Sequence, residues 1–162
     1  MPPNKTQALL DFYHGLSLPQ YPVVVELGVQ YGGSLALWQS LWPKAFVVGV
    51  DINPDSVWPT GTIRVLADQT DPLLPGLINF NYYDLVIDDA SHLSKNSEVT
   101  FNRLWSKVSY GGIYVIEDWN VWVSNPTFYG QPDSVLSTIA SCISGTPGHM
   151  EVYSDYIAIW KE

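Results

Sequence analysis

Positive charge is scarce in this chain: 7 lysines and arginines stand against 16 aspartates and glutamates among 162 residues, for a formal net charge of −9. So few cations leave no basic footprint for a phosphate backbone, which argues against nucleic acid as a substrate. Cysteine is scarcer still. Cys142 stands alone, so neither an intramolecular disulfide nor a cysteine-based metal cluster can form, and a reducing cytoplasm is the expected compartment. No run approaches the ~20 apolar residues needed to span a bilayer. The first residues, Met1-Pro2-Pro3-Asn4-Lys5, lack a basic region followed by an apolar core, so neither a membrane partner nor an export leader is expected. Repeats, low-complexity tracts and linker-like charge runs are also missing.

What is present is largely apolar. Hydrophobic residues make up 46% of the chain and charged ones 14%, enough to bury a core and too little charge for long disorder. The length suits one domain, so residues 1–162 are expected to form a single minimal unit. Seven tryptophans and ten tyrosines are many for this size, and some are expected on a surface that meets a partner subunit or a substrate ring.

Apolar runs bounded by turn residues alternate with helical patterns, which is α/β organisation. The expected strands are 22–27, 46–50, 63–67, 83–87 and 113–116, the last opened by Gly111-Gly112, with a closing hairpin of 150–153 and 156–160 around Ser154-Asp155. Helices are expected over 6–13, 33–42 (stopped by Pro43), 94–108 and 133–144. Four of the strands carry acidic residues at or just after their C-terminal ends, the edge where open parallel sheets bind ligands. One such acid is ordinarily a turn or cap residue; four on one edge are hard to explain as caps.

The first strand runs into Glu26-Leu27-Gly28-Val29-Gln30-Tyr31-Gly32-Gly33-Ser34, and the second ends in Asp51. Strand, glycine turn, helix, strand and terminal carboxylate is the order of a dinucleotide-type site, in which the acid bonds the ribose hydroxyls. The glycine spelling differs, because Gln30 stands where backbone must approach a pyrophosphate. Glu26 repels a diphosphate yet can lie near an ammonium or a sulfonium, so the pattern favours S-adenosylmethionine over NAD. Gly28 and Gly32 also fit a plain tight turn, and Ser34 fits a helix cap as well as a cofactor contact. Asp68-Gln69, after the third strand, is placed to read an adenine edge, although Asp68 alone suits an Asx turn before Asp71-Pro72 equally well.

Asp88-Asp89-Ala90-Ser91-His92 and Glu117-Asp118 follow what should be adjacent strands, which gathers four carboxylates and an imidazole. So many anions share a small site only with cations between them, and oxygen ligands select hard ions such as Mg²⁺. Asp89, Glu117 and Asp118 are the expected metal ligands, and Asp88 is grouped with the cofactor contacts. His92 is the candidate general base for a hydroxyl acidified by the ion, with a capping or structural histidine as the alternative. His14 and His149 have no comparable neighbours. The aromatics Trp119, Trp122, Phe128 and Tyr129 suit a wall against a sugar or an aromatic ring, and suit core or a subunit interface better.

These blocks resemble class I S-adenosylmethionine methyltransferases, more narrowly the branch of macrolide-sugar O-methyltransferases and cephalosporin hydroxylase-like proteins. Glu26 to Ser34, Gly49-Val50-Asp51-Ile52, Ala67-Asp68-Gln69-Thr70-Asp71, Ile87 to His92 and Gly111 to Asp118 are similar to its motifs in order and spacing, over about residues 23 to 118. Ala67 and Ala90 stand where glycine is common, small changes that such positions tolerate. The resemblance implies a Rossmann-like seven-stranded methyltransferase sheet, mostly parallel with an antiparallel last strand and helices on both faces. It further implies Mg²⁺-dependent methyl transfer to a hydroxyl, often on a sugar of a natural product, with Asp89, Glu117 and Asp118 in ligand positions and His92 in the base position. The rivals are an S-adenosylmethionine binder without transfer activity, a metal-free methyltransferase and an NAD-dependent oxidoreductase. With few residues left for a lid, closure of the site by a neighbouring subunit in a homo-oligomer is a further expectation.

Overall fold

The computed structural model describes residues 4–145 and 147–162; the reading of Met1-Pro2-Pro3 as free of an export leader lies outside them. Helix α1 (Gln7–Gly15) precedes β1 (Val23–Leu27), α2 (Gly33–Leu41), β2 (Phe46–Asp51), β3 (Ile63–Leu66), α3 (Leu74–Ile78), β4 (Tyr83–Asp88) and α4 (Ser94–Leu104). A 3₁₀ turn then leads into β5 (Val108–Glu117), the short helices α5 (Val121–Ser124) and α6 (Pro126–Tyr129), α7 (Pro132–Gly145), β6 (Gly148–Val152) and β7 (Tyr156–Lys161). Among the described residues, no helix is long and apolar enough to cross a membrane.

The strands form one seven-stranded sheet in the order β3-β2-β1-β4-β5-β7-β6. β3, β2, β1, β4 and β5 run parallel, and β7 is antiparallel to both β5 and β6. The expected sheet is therefore observed, with the hairpin at its far edge. Its central strands are continuous apolar runs because both faces are covered. Val24, Val47, Leu85 and Val115 pack beneath α1 and α2 through Leu9, Tyr13, Leu35 and Trp38. Val25, Val48, Val86 and Ile116 pack beneath α3, α4 and α7 through Leu74, Phe101, Leu104, Val135 and Ile139.

Two boundaries differ from the sequence expectation. The helix expected to reach Val108 ends at Leu104, and β5 begins at Val108 instead of at Ile113. The pairing with β4 steps from Tyr83 and Val108 directly to Leu85 and Ile113, so 109–112 loops out of the ladder. Gly111 lies inside that excursion at φ 78°, a left-handed conformation that suits glycine. The short α5 and α6 lie between β5 and α7, where the sequence shows no helical period long enough to read.

Candidate functional site

Because β1, β2, β3, β4 and β5 run parallel, the residues after their C-terminal ends meet at one edge. There they enclose an open cleft of about 980 Å³. Its walls include Gly28 to Tyr31, Gly33, Ser34, Asp51, Asp68, Gln69, Asp89 to His92 and Asp118. Gly28 closes the loop against the next strand: the backbone N–H of Gly28 donates to Val50 O at 2.8 Å and that of Asp89 to Leu27 O at 2.9 Å. A Cβ on Gly28, at φ 93°, would fall 2.1 Å from the carbonyl oxygen of Asp89. Gln30, whose side chain argued against a dinucleotide loop, holds φ 49°. Its backbone adopts the turn that glycine ordinarily supplies.

Asp51 organises this loop. Its carboxylate accepts backbone N–H groups from Val29 and Asn53 at 2.8 Å and from Gln30 at 3.0 Å. Partial burial pushes its pKa up, but the N–H donors of Asn53, Gln30 and Val29 outweigh that and hold it below the ordinary value. Asp68 is held low by the Thr70 hydroxyl and backbone N–H, the Asx-type turn anticipated as its alternative. Gln69 is buried and locked, donating to Asp88 Oδ1 and Thr100 Oγ1 at 3.1 Å and accepting from Ser91 N at 3.1 Å. Asp88 lies behind the cleft wall, where burial raises its pKa to about 6. Gly32 precedes α2 in a left-handed conformation and its carbonyl accepts the N–H of Ala36 at 3.1 Å, so Ser34 sits inside the first helical turn and faces the cleft.

Asp89, His92 and Asp118 come together at the other end of the cleft. Each offers one ligand atom within 4.8 Å of the others, and His92 Nε2 lies 3.9 Å from both Asp89 Oδ1 and Asp118 Oδ2. Two carboxylate oxygens and an imidazole nitrogen opening on a cleft suit a divalent cation. His92 and Asp118 both hold φ 54°, so with Gln30 three non-glycine residues in left-handed backbone line this one site. Such conformations cost on the order of 1 kcal/mol each and persist where surrounding bonds enforce them. Here Trp122 Nε1–H donates to His92 O at 2.8 Å, and Asp118 N–H donates to Asp155 O at 2.6 Å.

Glu26 and Glu117 do not face the cleft; both are buried around Lys5. The Lys5 ammonium donates to both oxygens of Glu117 at 2.7 Å and to Asp89 Oδ2 at 3.1 Å, with Glu26 Oε1 at 3.8 Å. Tyr13 O–H adds a 2.7 Å bond to Glu117 Oε1, and Trp38 Nε1–H donates to Glu26 Oε2 at 3.1 Å. Burial raises the Glu26 pKa to about 8 despite Lys5, and pushes that of Glu117 upward while Lys5 opposes the rise. Burial opposes the Lys5 charge, but Glu117, Asp89 and Glu26 outweigh it and hold the ammonium protonated. Lys5 was not among the sequence candidates. Its contacts lie 84 and 112 residues along the chain, and no local signal announces them.

The aromatic wall considered after β5 is not part of the cleft. Trp122 is core, Trp119 packs against the core with its indole N–H on Tyr153 O at 2.8 Å, and Phe128 is exposed.

Sheet order and cleft together define the class: this is the Rossmann-like methyltransferase fold. Sequence similarity then narrows it. The chain is 39% identical over 134 residues to mycinamicin VI 2''-O-methyltransferase of Micromonospora griseorubida, an overlap of 76% of this chain and 33% of that protein. It is 35% identical over 114 residues to demethylmacrocin O-methyltransferase of Streptomyces fradiae, covering 68% of this chain and 28% of that one. The chain thus spans about a third of the length of these relatives. Among solved structures, the MycE methyltransferase of the mycinamycin biosynthetic pathway, in complex with Mg and SAH, superposes with a TM-score of 0.79 at 28% identity over 95% of this chain and 48% of its own. An O-methyltransferase from Bacillus cereus shares the fold alone, at 15% identity and a TM-score of 0.65. No family model matches the chain. The resemblance read from the motif blocks is borne out by these similarities to sugar O-methyltransferases.

Proposed function

We propose that this chain is an S-adenosylmethionine-dependent, Mg²⁺-assisted O-methyltransferase acting on a hydroxyl of a small molecule, a sugar on a natural product being the favoured class. The observation that carries the reading is one cleft lined in series by the Gly28 loop, Asp51, Asp68-Gln69 and the Asp89, His92 and Asp118 group. Similarity to O-methyltransferases over three quarters of the chain supports it. Asp51, in the cleft wall at the end of β2, would take the ribose hydroxyls. Asp68 and Ser34 line the same cleft. Asp89 and Asp118 would hold the divalent ion beside His92, and the ion would supply acidification and orientation of the acceptor hydroxyl.

The protein's own groups then have two tasks. The cleft aligns donor and acceptor, and His92 takes the acceptor proton. A small-molecule acceptor, a cytoplasmic setting and a homo-oligomer closing the open cleft belong to the same proposal.

Calorimetric titration with S-adenosylmethionine, in Mg²⁺ and again in chelator, tests it. Stoichiometric binding followed by methyl transfer in a screen of glycosylated acceptors supports the reading. Binding without turnover across that screen would favour a non-catalytic binder, and no binding in either condition would overturn it.

A further inference from the structure

Lys5 occupies an unusual position for a lysine. Its side chain is 1% exposed, and its ammonium lies amid three acidic side chains that no other described cation approaches within 4.0 Å, His92 by Asp89 excepted. The chain has only 7 lysines and arginines to distribute. Thr6, the next residue, caps α1 through its side chain and donates its hydroxyl to Asp155, so the chain is pinned immediately after Lys5. Asn4, the residue before, lines the cleft. Lys5 therefore sits between a residue of the cleft wall and a fixed point.

Asp89 is divided between two neighbours. Oδ2 binds Lys5, while Oδ1 faces His92 and the candidate ion position. Glu117 immediately precedes Asp118, yet both its oxygens are taken by Lys5. An ammonium and a divalent ion sharing Asp89 would repel each other across a few ångströms of weakly screened interior. A freed Glu117, in contrast, would join Asp89 and Asp118 as an oxygen donor, and hard ions gain from each added carboxylate.

Resting on the metal reading of the cleft above, we propose that Lys5 is a tethered counter-cation that competes with the divalent ion. In the metal-free protein it neutralises Glu117 and Asp89 beside the buried Glu26; ion binding draws Asn4 and Lys5 out of the acidic pocket and releases Glu117. Affinity for the ion is set by this exchange, since the ion must displace a cation already in place.

Two measurements on the full chain test the exchange. In calorimetry with Mn²⁺ alone, Lys5→Met should bind about tenfold tighter or more than wild type. If that variant does not fold with Glu26 and Glu117 left unpaired, Lys5→Met with Glu26→Gln removes one buried acid with the cation and should show the same gain. In wild type, hydrogen exchange of the backbone amides of residues 4–6 should accelerate severalfold on saturation with Mg²⁺. Equal or weaker Mn²⁺ affinity in a folded variant, or metal binding with unchanged exchange at 4–6, overturns the competition while leaving the metal site intact. No binding by any form overturns the metal reading itself, and the exchange with it.

Discussion

The ammonium of Lys5 lies 2.7 Å from both carboxylate oxygens of Glu117, joining the N-terminal segment to the end of β5 across 112 residues. A pair this buried contributes little relative to an apolar replacement, but loss of one partner strands the other. Lys5→Met should therefore cost about 3–5 kcal/mol. Glu117→Gln should cost less, because Tyr13 can still donate to the amide oxygen. The double variant should recover part of the sum. Urea denaturation of the four proteins measures the coupling, and additivity within about 0.5 kcal/mol would mean that the contact carries no energetic link.

Glu26 gives the same cluster a pH dependence. Burial lifts its pKa to about 8 in the folded protein from 4.5. Between those values the folded state binds the extra proton, so stability is highest at the acidic end of the window and declines as pH rises toward 8. Glu26→Gln keeps the shape and an acceptor for the Trp38 N–H without a titrating group. Between pH 5 and pH 8.5 wild type should lose more unfolding free energy than the variant, by on the order of 1–3 kcal/mol. Parallel pH profiles for the two proteins would show that Glu26 stays ionised throughout.

His92 owes its position to a second residue. Its left-handed backbone is held by the Trp122 indole N–H, 2.8 Å from its carbonyl oxygen. His92→Ala should leave S-adenosylmethionine affinity within about twofold of wild type and lower turnover by about 10²-fold or more, the usual worth of a general base. Trp122→Phe should reproduce part of the turnover loss, with the imidazole present but unanchored. Wild-type turnover in His92→Ala would remove the imidazole from the reaction.

The sequence declared what repeats locally and withheld what depends on distance. All seven strands were legible, the central ones as apolar runs stopped by turn residues and the last two as a hairpin around Ser154-Asp155, and the C-terminal acids marked the working edge. The cleft group of Asp89, His92 and Asp118 followed from the order of β4 and β5. Glu26 and Glu117 read like their neighbours Asp51 and Asp118, yet side chains alternate along a strand, and theirs turn toward Tyr13, Trp38 and Lys5 behind the edge. Only the packing of α1 over β1 and β5 brings Lys5 there, a contact no window of sequence contains. The break in β5 at 109–112 was hidden for a related reason: Gly111-Gly112 reads equally as the start of a strand or as a bulge within one.

Gly28 is where fold and function are least separable. A methyl group there would meet the Asp89 carbonyl oxygen at 2.1 Å and the Asp89 carbonyl carbon at 2.7 Å, while φ 93° strains any side chain. Gly28→Ala must therefore push the ends of β1 and β4 apart, moving the loop that Asp51 organises and Asp89 with it. The expected outcome is a loss of about 2 kcal/mol or more in stability, in line with alanine forced into positive φ against backbone. S-adenosylmethionine affinity should fall at least tenfold by calorimetry. Gly76→Ala supplies the control: a Cβ at Gly76 in α3 meets nothing within 4 Å, so alanine should be neutral or stabilise by up to about 1 kcal/mol. A Gly28→Ala protein that melts with wild type and binds cofactor unchanged would show that the strand ends yield freely, and that their close approach is not what shapes the cleft.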